Sequence, residues 1–512
     1  MLFNSYAFIF GFLPFTLAGY FLFARSSHRL AALWLTITSL FFYGWWNPIF
    51  VVLMMASIIV NYGFGYVIGH AQLRSASRAK VILVTALVAN LGVLAYFKYA
   101  NFFIANVGQL TGMKWTVENI VLPIGISFFT FTQIAFLVDV YRGIAREYNF
   151  IHYTLFVTYF PHLIAGPVLH HKQMMPQFGH GDTYRFNIEN INVGLTIFIV
   201  GLAKKVLLAD QFSLYANPVF EMAEQGGEEL KLIEAWIGAL AYSLQLYFDF
   251  SGYSDMAIGL SRMFNVKLPL NFYSPYKSPN IIEFWRRWHM TLSTFLRDYL
   301  YVPLGGSRRG RPRRYANLMA TMLLGGLWHG AGWNFVLWGG LHGMYLVINH
   351  GWQRLTSSKE TSFGWRYIIG TGLTFVAVIV AWVPFRATGI DAALRMWAGM
   401  LGVNGITLPQ SLGPKLPAWV SKVSTFDGPT PLTGLSFKEV ALAVSIGLAI
   451  VWLLPNVQQW MSRYQPALNS VCCVGASKGW KPTTKYALAA GAVFGIALLS
   501  LNRVSTFLYF QF

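Results

Sequence analysis

The sequence predicts an all-α, polytopic membrane protein, and three observations carry that prediction. Of the 512 residues, 55% are hydrophobic and only 11% are charged. A soluble globular domain carries about 25% charged residues, so this chain lacks the polar surface to face water on all sides. The apolar residues also fall into blocks near the ~20 residues that a bilayer-spanning helix requires. Finally, the basic residues collect in the loops between alternate blocks, as cytoplasmic loops do.

Taken in order, Tyr6 to Ala24, Leu30 to Trp46, Phe50 to Ile68, Val81 to Phe97 and Ile120 to Val138 each read as a full span. Further blocks follow at Val193 to Leu208, Ala235 to Phe248, Leu318 to Leu327, Trp333 to Ile348, Ile368 to Val383, Val440 to Leu454 and Ala487 to Leu501. Several of these fall short of a full crossing, which predicts short re-entrant or broken helices lining a cavity. Three regions result. Residues 1–145 are plain spanning helices, 146–350 a core of interrupted helices, and 351–512 further spans with an outer segment near 386–438.

The formal charge of +19 is a membrane signature here and not a nucleic-acid one. Arg25 and Arg29 follow the first block, Arg74, Arg78 and Lys80 the third, and Arg142 and Arg146 the fifth, while Met1 to Tyr6 is uncharged. This alternation places the N-terminus outside and the basic loops inside. The same count puts 351–366 and 456–485 inside. Cys472 and Cys473, the two cysteines, are adjacent and build no disulfide framework. The N-terminal stretch lacks a basic n-region and is long enough to remain as a span.

Four segments in the central region carry chemistry. Tyr159 to Pro167 holds two prolines and a glycine within seven residues, which forbids a continuous helix. His162 within it reads as part of a kink. Gln245 to Asp255 gathers Asp249, Ser251, Tyr253 and Asp255 at the end of an apolar block. Carboxylates at membrane depth are costly unless paired, so they line a site or staple helices together. The absence of a third acid or histidine at ligand spacing argues against a metal, and none is expected. Asn280 to Leu300 reads as one amphipathic helix at the inner interface, with Glu283 pairing Arg286 or Arg287. Those arginines are candidate contacts for donor phosphates. The run Arg308, Arg309, Arg311, Arg313 and Arg314 reads as a positive-inside loop.

The fourth segment, Gly325-Gly326-Leu327-Trp328-His329-Gly330-Ala331-Gly332-Trp333, carries the most weight. With the basic loop ending near Arg314, His329 lies on the order of 20 Å along the helix. Its glycines permit close approach of backbone or substrate. A titratable ring at that depth needs a polar or water-filled cavity. Neutral imidazole accepts a proton from a hydroxyl over much of the physiological range, which suits a general base. His342, thirteen residues on, either orients an acceptor or makes an interhelical hydrogen bond.

The segments Phe160 to Pro167, Asp249 to Ala257, Phe284-Trp285-Arg286-Arg287-Trp288-His289 and Leu327-Trp328-His329-Gly330, in this order, resemble the membrane-bound O-acyltransferase superfamily, and within it the alginate O-acetylation branch of Gram-negative bacteria. The likeness covers most of residues 1–350 and returns at Tyr509-Phe510-Gln511-Phe512. It implies a multi-pass inner-membrane enzyme with a central tunnel or opposed funnels meeting at His329, with His342 as a second catalytic histidine. Asp249, Ser251, Tyr253, Asp255, Arg286, Arg287, His289 and Trp328 then become candidate substrate- or donor-binding residues. Acetyl-CoA is the implied cytoplasmic co-substrate, with no cofactor permanently bound. The implied partners, besides the lipid bilayer, are a periplasmic serine-hydrolase-like (SGNH-type) acetyltransferase and a polysaccharide biosynthesis and export complex. Relatives act on alginate, cellulose, peptidoglycan or D-alanine carriers, which leaves the glycan open. A transporter or flippase of an acyl donor or lipid-linked glycan, without chemistry of its own, is the rival reading, since broken helices with midplane polar residues are expected there too.

Overall fold

The computed structural model describes residues 1–113, 120–145, 149–227, 229–356, 364–408, 417, 424–425, 437–469, 479–501 and 507–508. Arg146, the two cysteines, the C-terminal Tyr509 to Phe512 and most of the proline-rich stretch near 409–431 lie outside them. Among the described residues the architecture is all-α as expected, apart from one two-residue strand pairing, Ile406–Thr407 with Ser424–Thr425.

The N-terminal region comprises α1 (Leu13–Ala24), α2 (His28–Gly44), α3 (Pro48–Arg74), α4 (Ala76–Thr111) and α5 (Ile126–Tyr141). A π-helical turn, Ala7–Phe12, leads into α1. Ser27, Asn47 and Ser75 cap α2, α3 and α4 by accepting hydrogen bonds from backbone N–H groups one turn in, which explains why these helices start where they do. Helix α3 packs on α4 through a reciprocal amide pair, Asn61 with Asn90, at 3.1 and 2.6 Å. Outward-facing Phe, Leu, Ile and Val side chains on α1 to α4 are exposed, as a lipid-facing surface requires, whereas α5 is enclosed. Five helical stretches among the described residues are long and apolar enough to cross a membrane.

The central region follows with α6 (Phe150–Thr158), α7 (His171–Gly179), α8 (Ile188–Ala203), α9 (Asp210–Gln225), α10 (Leu232–Met263), α11 (Ile281–Arg287), α12 (Met290–Leu296), α13 (Arg311–His329) and α14 (Trp333–Leu355). Between α6 and α7 the Pro161–Pro167 segment is a buried series of turns, and the His162 ring hydrogen-bonds the Phe156 carbonyl at 3.0 Å, which makes it part of the kink. The C-terminal region supplies α15 (Trp365–Arg386), α16 (Ile390–Met400), α17 (Phe437–Leu453), α18 (Val457–Trp460) and α19 (Thr484–Leu499).

Helix α10, at 32 residues, is the buried axis of the molecule. It runs straight through Asp249 to Asp255, which the sequence places at the end of an apolar block. Polar side chains stay helical there because their partners come from neighbouring helices. Its closest neighbour is α8. A Cβ on Gly259 would stand 2.5 Å from the Gly194 carbonyl, and one on Gly252 would stand 2.8 Å from that of Gly201. Small residues let the two backbones touch, the usual means of helix association in lipid. Substituting Gly259→Val is expected to destabilise the protein by about 1–3 kcal/mol through overpacking. Thermal unfolding in detergent checks this, with Gly491→Val, in open space, as the unaffected control.

The single amphipathic helix expected over Asn280 to Leu300 is corrected. The chain forms two short helices, α11 and α12, broken at His289, whose backbone adopts φ 42° and ψ 53°. Trp288 and His289 are buried rather than interfacial. The break arises because Asn271 captures the chain there. Its backbone carbonyl accepts from Met290 N–H at 3.0 Å, and its side-chain oxygen accepts from Thr291.

Candidate active site

The site is the tip of a helical hairpin. Helix α13 runs from the exposed basic run at Arg311 to its last residue, His329, roughly 27 Å at 1.5 Å per residue. Gly330 and Gly332 then adopt extended conformations and α14 returns at Trp333. The two helices cross closely because Gly326 and Gly339 have no side chain. A Cβ on either would overlap the carbonyl of Phe335 or Met322.

The His329 imidazole is 4% exposed and is enclosed by rings. Trp328 lies at 4.9 Å between centroids, Trp338 at 5.0 Å, Phe385 at 5.2 Å and His289 at 6.4 Å. His289 is one of the candidate substrate- or donor-binding residues. The structure brings it beside His329 and fixes its tautomer. Asn271 Oδ1 accepts from the Thr291 backbone N–H at 3.3 Å, so that atom is the amide oxygen. His289 Nδ1, 3.1 Å from the same oxygen, must therefore carry the proton. The strained backbone of His289 thus holds one imidazole in a defined tautomer beside another. A non-glycine residue in this conformation costs on the order of 1–3 kcal/mol, and such strain gathers at functional sites.

His342 sits behind Trp338, whose ring lies 4.9 Å from it and 5.0 Å from His329. Trp285 at 5.1 Å, Tyr345 at 5.8 Å and Trp382 at 6.0 Å complete an aromatic box. Neither ring nitrogen of His342 has a hydrogen-bond partner among the described residues, so the interhelical hydrogen bond considered for it is not formed. The indole N–H groups of Trp285, Trp328 and Trp338 also lack protein acceptors there. Buried polar groups are normally satisfied by protein, water or ligand, so His342 and the three indoles, two of them against His329 and two against His342, mark a polar space.

The other candidates divide. Asp249 and Asp255 are held by adjacent lysines of the π-helical segment Lys204–Ala209 that joins α8 to α9. Lys204 reaches Asp255 at 2.6 Å, and Lys205 reaches Asp249 at 2.7 Å and Asp210 at 2.8 Å. Asp249 also accepts the Leu508 backbone N–H at 3.1 Å. Of the two readings left open for these carboxylates, this is the geometry of a staple. Tyr253 packs against Phe3 at 4.9 Å and Phe507 at 4.8 Å, and Ser251 is buried on the same helix. Phe250, between them in sequence, reaches the histidines, at 4.8 Å from His289. Arg286 is exposed and pairs with Glu283 at 2.6 Å, and Arg287 lies 3.7 Å from the same carboxylate, as the i, i+3 and i, i+4 spacing predicted. No group of three metal-ligating side chains occurs among the described residues.

Two features were not visible in the sequence. One is a column of rings leading away from His329. Trp328 stacks on Phe131 at 5.2 Å, Phe131 on Phe295 at 4.2 Å, and Phe295 meets Tyr299 at 5.0 Å. Tyr299 donates to Asp139 at 2.9 Å and lies 3.0 Å from His170 Nδ1, next to the exposed Arg142. Spread over four segments, this column leaves no spacing to read. The other is Lys98 of α4, buried against the backbone of Trp328 and His329.

A helical bundle with lipid-facing surfaces and a buried cluster of imidazoles at a helix hairpin defines a multi-pass membrane protein built for group transfer. The comparisons with known proteins make this definite. The model of the membrane-bound O-acyltransferase family matches residues 79–387, a stretch containing every candidate site residue. The chain is 42% identical over 435 residues to the peptidoglycan O-acetyltransferase of Helicobacter pylori, covering 80% of this chain and 81% of that one. It is 37% identical over 522 residues, the whole of both chains, to a Pseudomonas putida protein named "Probable alginate O-acetylase AlgI". A teichoic acid D-alanyltransferase of Streptococcus thermophilus is 27% identical over 282 residues, 51% of this chain and 68% of that one. The chain belongs to the membrane-bound O-acyltransferase family. It is an acyltransferase, and the rival reading of a transporter without chemistry gives way to that.

Proposed function

We propose that the protein acetylates an exported polysaccharide, such as alginate, using acetyl-CoA from the cytoplasmic side of the bacterial inner membrane. His329 is the general base. It takes the proton of an acceptor hydroxyl as the hydroxyl oxygen attacks the thioester carbonyl carbon. The carbon–sulfur bond breaks, and the proton passes to the departing thiolate, leaving an acetyl ester and free CoA. His289, with its proton fixed on Nδ1, presents Nε2 towards the same space, and His342 supports the cluster from behind Trp338. Arg286 and Arg287 contact the donor's phosphates, and the acetyl group is handed to a periplasmic serine-hydrolase-like partner within the export complex.

The observation that carries this reading is the buried imidazole pair at the α13 tip, surrounded by indole N–H groups without protein acceptors. Those donors suit the oxygen atoms of an acyl group in transfer. The test has two arms. Protein in lipid nanodiscs is given acetyl-CoA together with the polysaccharide as hydroxyl acceptor, and release of free thiol is followed. In parallel, O-acetyl groups on the surface polysaccharide of a deletion strain are quantified with and without the gene. Thiol release together with restored O-acetylation is expected. Restored O-acetylation without thiol release overturns the choice of donor, and the absence of both overturns the function.

A further inference from the structure

A helix leaves its last four carbonyls without partners inside the helix. In α13 these belong to Gly326, Leu327, Trp328 and His329, and all four are accounted for. Gly330 N–H donates to Gly326 at 3.4 Å. The Tyr99 hydroxyl donates to Leu327 at 2.8 Å. The Lys98 ammonium donates to Trp328, and to His329 at 3.3 Å. Three of the four carbonyls are met by two consecutive residues of a distant helix, α4.

Lys98 is only 9% exposed and pairs with no carboxylate among the described residues. Its remaining contacts are the Ser127 hydroxyl at 3.5 Å and the face of the Trp328 ring at 5.7 Å. A buried cation without a counter-ion is expensive, and here the negative end of a helix dipole takes the place of one. The hairpin tip is therefore held from α4 as well as by its own turn, where Gly332 N–H donates to the Gly330 carbonyl at 3.1 Å.

We propose that Lys98 and Tyr99 are positioning residues that cap the C-terminus of α13 and so fix the orientation of the His329 imidazole. This rests on the reading of His329 as the reactive group. Lys98 acts through backbone carbonyls, so its loss leaves donor binding intact and misaligns the base.

The variants Lys98→Met, Lys98→Arg and Tyr99→Phe are compared with wild type and His329→Ala in nanodiscs supplied with acetyl-CoA and the polysaccharide acceptor, and in the complemented deletion strain. Lys98→Met is expected to lower kcat by about 10- to 100-fold with KM for acetyl-CoA unchanged, the scale of a small misplacement. Lys98→Arg, which keeps the charged donor, should recover most of that loss. Tyr99→Phe should lose about 2- to 10-fold, the worth of one hydrogen bond. A Lys98→Met enzyme with wild-type kcat, or one altered only in KM, overturns the proposal. Should Lys98→Met fail to insert, wild-type kcat in Tyr99→Phe overturns it and a pure kcat loss there supports it. Full acetylation by His329→Ala would instead overturn the reading of the site. A wild type that restores O-acetylation without releasing thiol would overturn only the donor, and the variants are then ranked by surface O-acetyl content.

Discussion

Replacing His329 with alanine is expected to lower O-acetylation by about 10²–10⁴-fold, the range that a positioned acid–base group contributes. The structure predicts that this loss is chemical and not a collapse of the fold. Every cap on the end of α13 is made to backbone atoms, so Gly330 N–H, Tyr99 and Lys98 keep their acceptors when the ring is removed. Alanine is also the best helix former, so the last turn is not weakened. Truncation leaves a space among Trp328, Trp338 and Phe385, and His329→Gln, closer in size, controls for that. Both variants should insert at wild-type levels by immunoblot of membranes and fail in thiol release. Near-normal acetylation by either would remove His329 from the mechanism.

The class of protein was legible, and a candidate site could be named, because both readings rest on local sequence. Blocks of apolar residues gave the membrane class, although those at Leu30 to Trp46 and Ile120 to Val138 became helices of 17 and 16 residues, shorter than a full span, and Gly325 to Trp333 marked a titratable ring where helix packing and a tight turn coincide. What escaped is what depends on contacts between distant segments. The apolar block assigned to α4 stopped at Phe97, because a lysine follows. The helix continues to Thr111, with Asn90, Leu94 and Lys98 on one buried face at a spacing of four. Lys98 was thus treated as a boundary when it is an intramembrane charge, a feature that by itself marks a position worth asking about. Lys204 and Lys205 were passed over in the same way inside the Val193 to Leu208 block. The continuous helix expected across His289 failed for a related reason. Periodicity in Phe284, Trp288 and Leu292 is real, but Asn271, from outside the segment, offers the backbone better partners than the helix does.

Lys205 yields the largest expected effect on stability. Its side chain is 2% exposed and holds Asp249, also 2% exposed, and Asp210, 15% exposed. Removing one partner of a buried pair leaves an uncompensated charge, and here it would leave two carboxylates close together. Lys205→Met is therefore expected to destabilise the protein by about 3–5 kcal/mol, read as a lowered unfolding midpoint in detergent. Replacing both members of such a pair with apolar groups is often nearly neutral, so Lys205→Met with Asp249→Leu should recover much of the loss. Residues in one network couple, and the double-mutant cycle measures by how much. An unchanged midpoint in Lys205→Met would mean that the ion pair does not hold α10 to the α8–α9 junction. The same double variant also separates the two readings of Asp249. A staple that can be replaced by packing leaves acetylation near wild type, whereas a carboxylate lining the site takes activity with it even when the fold is restored.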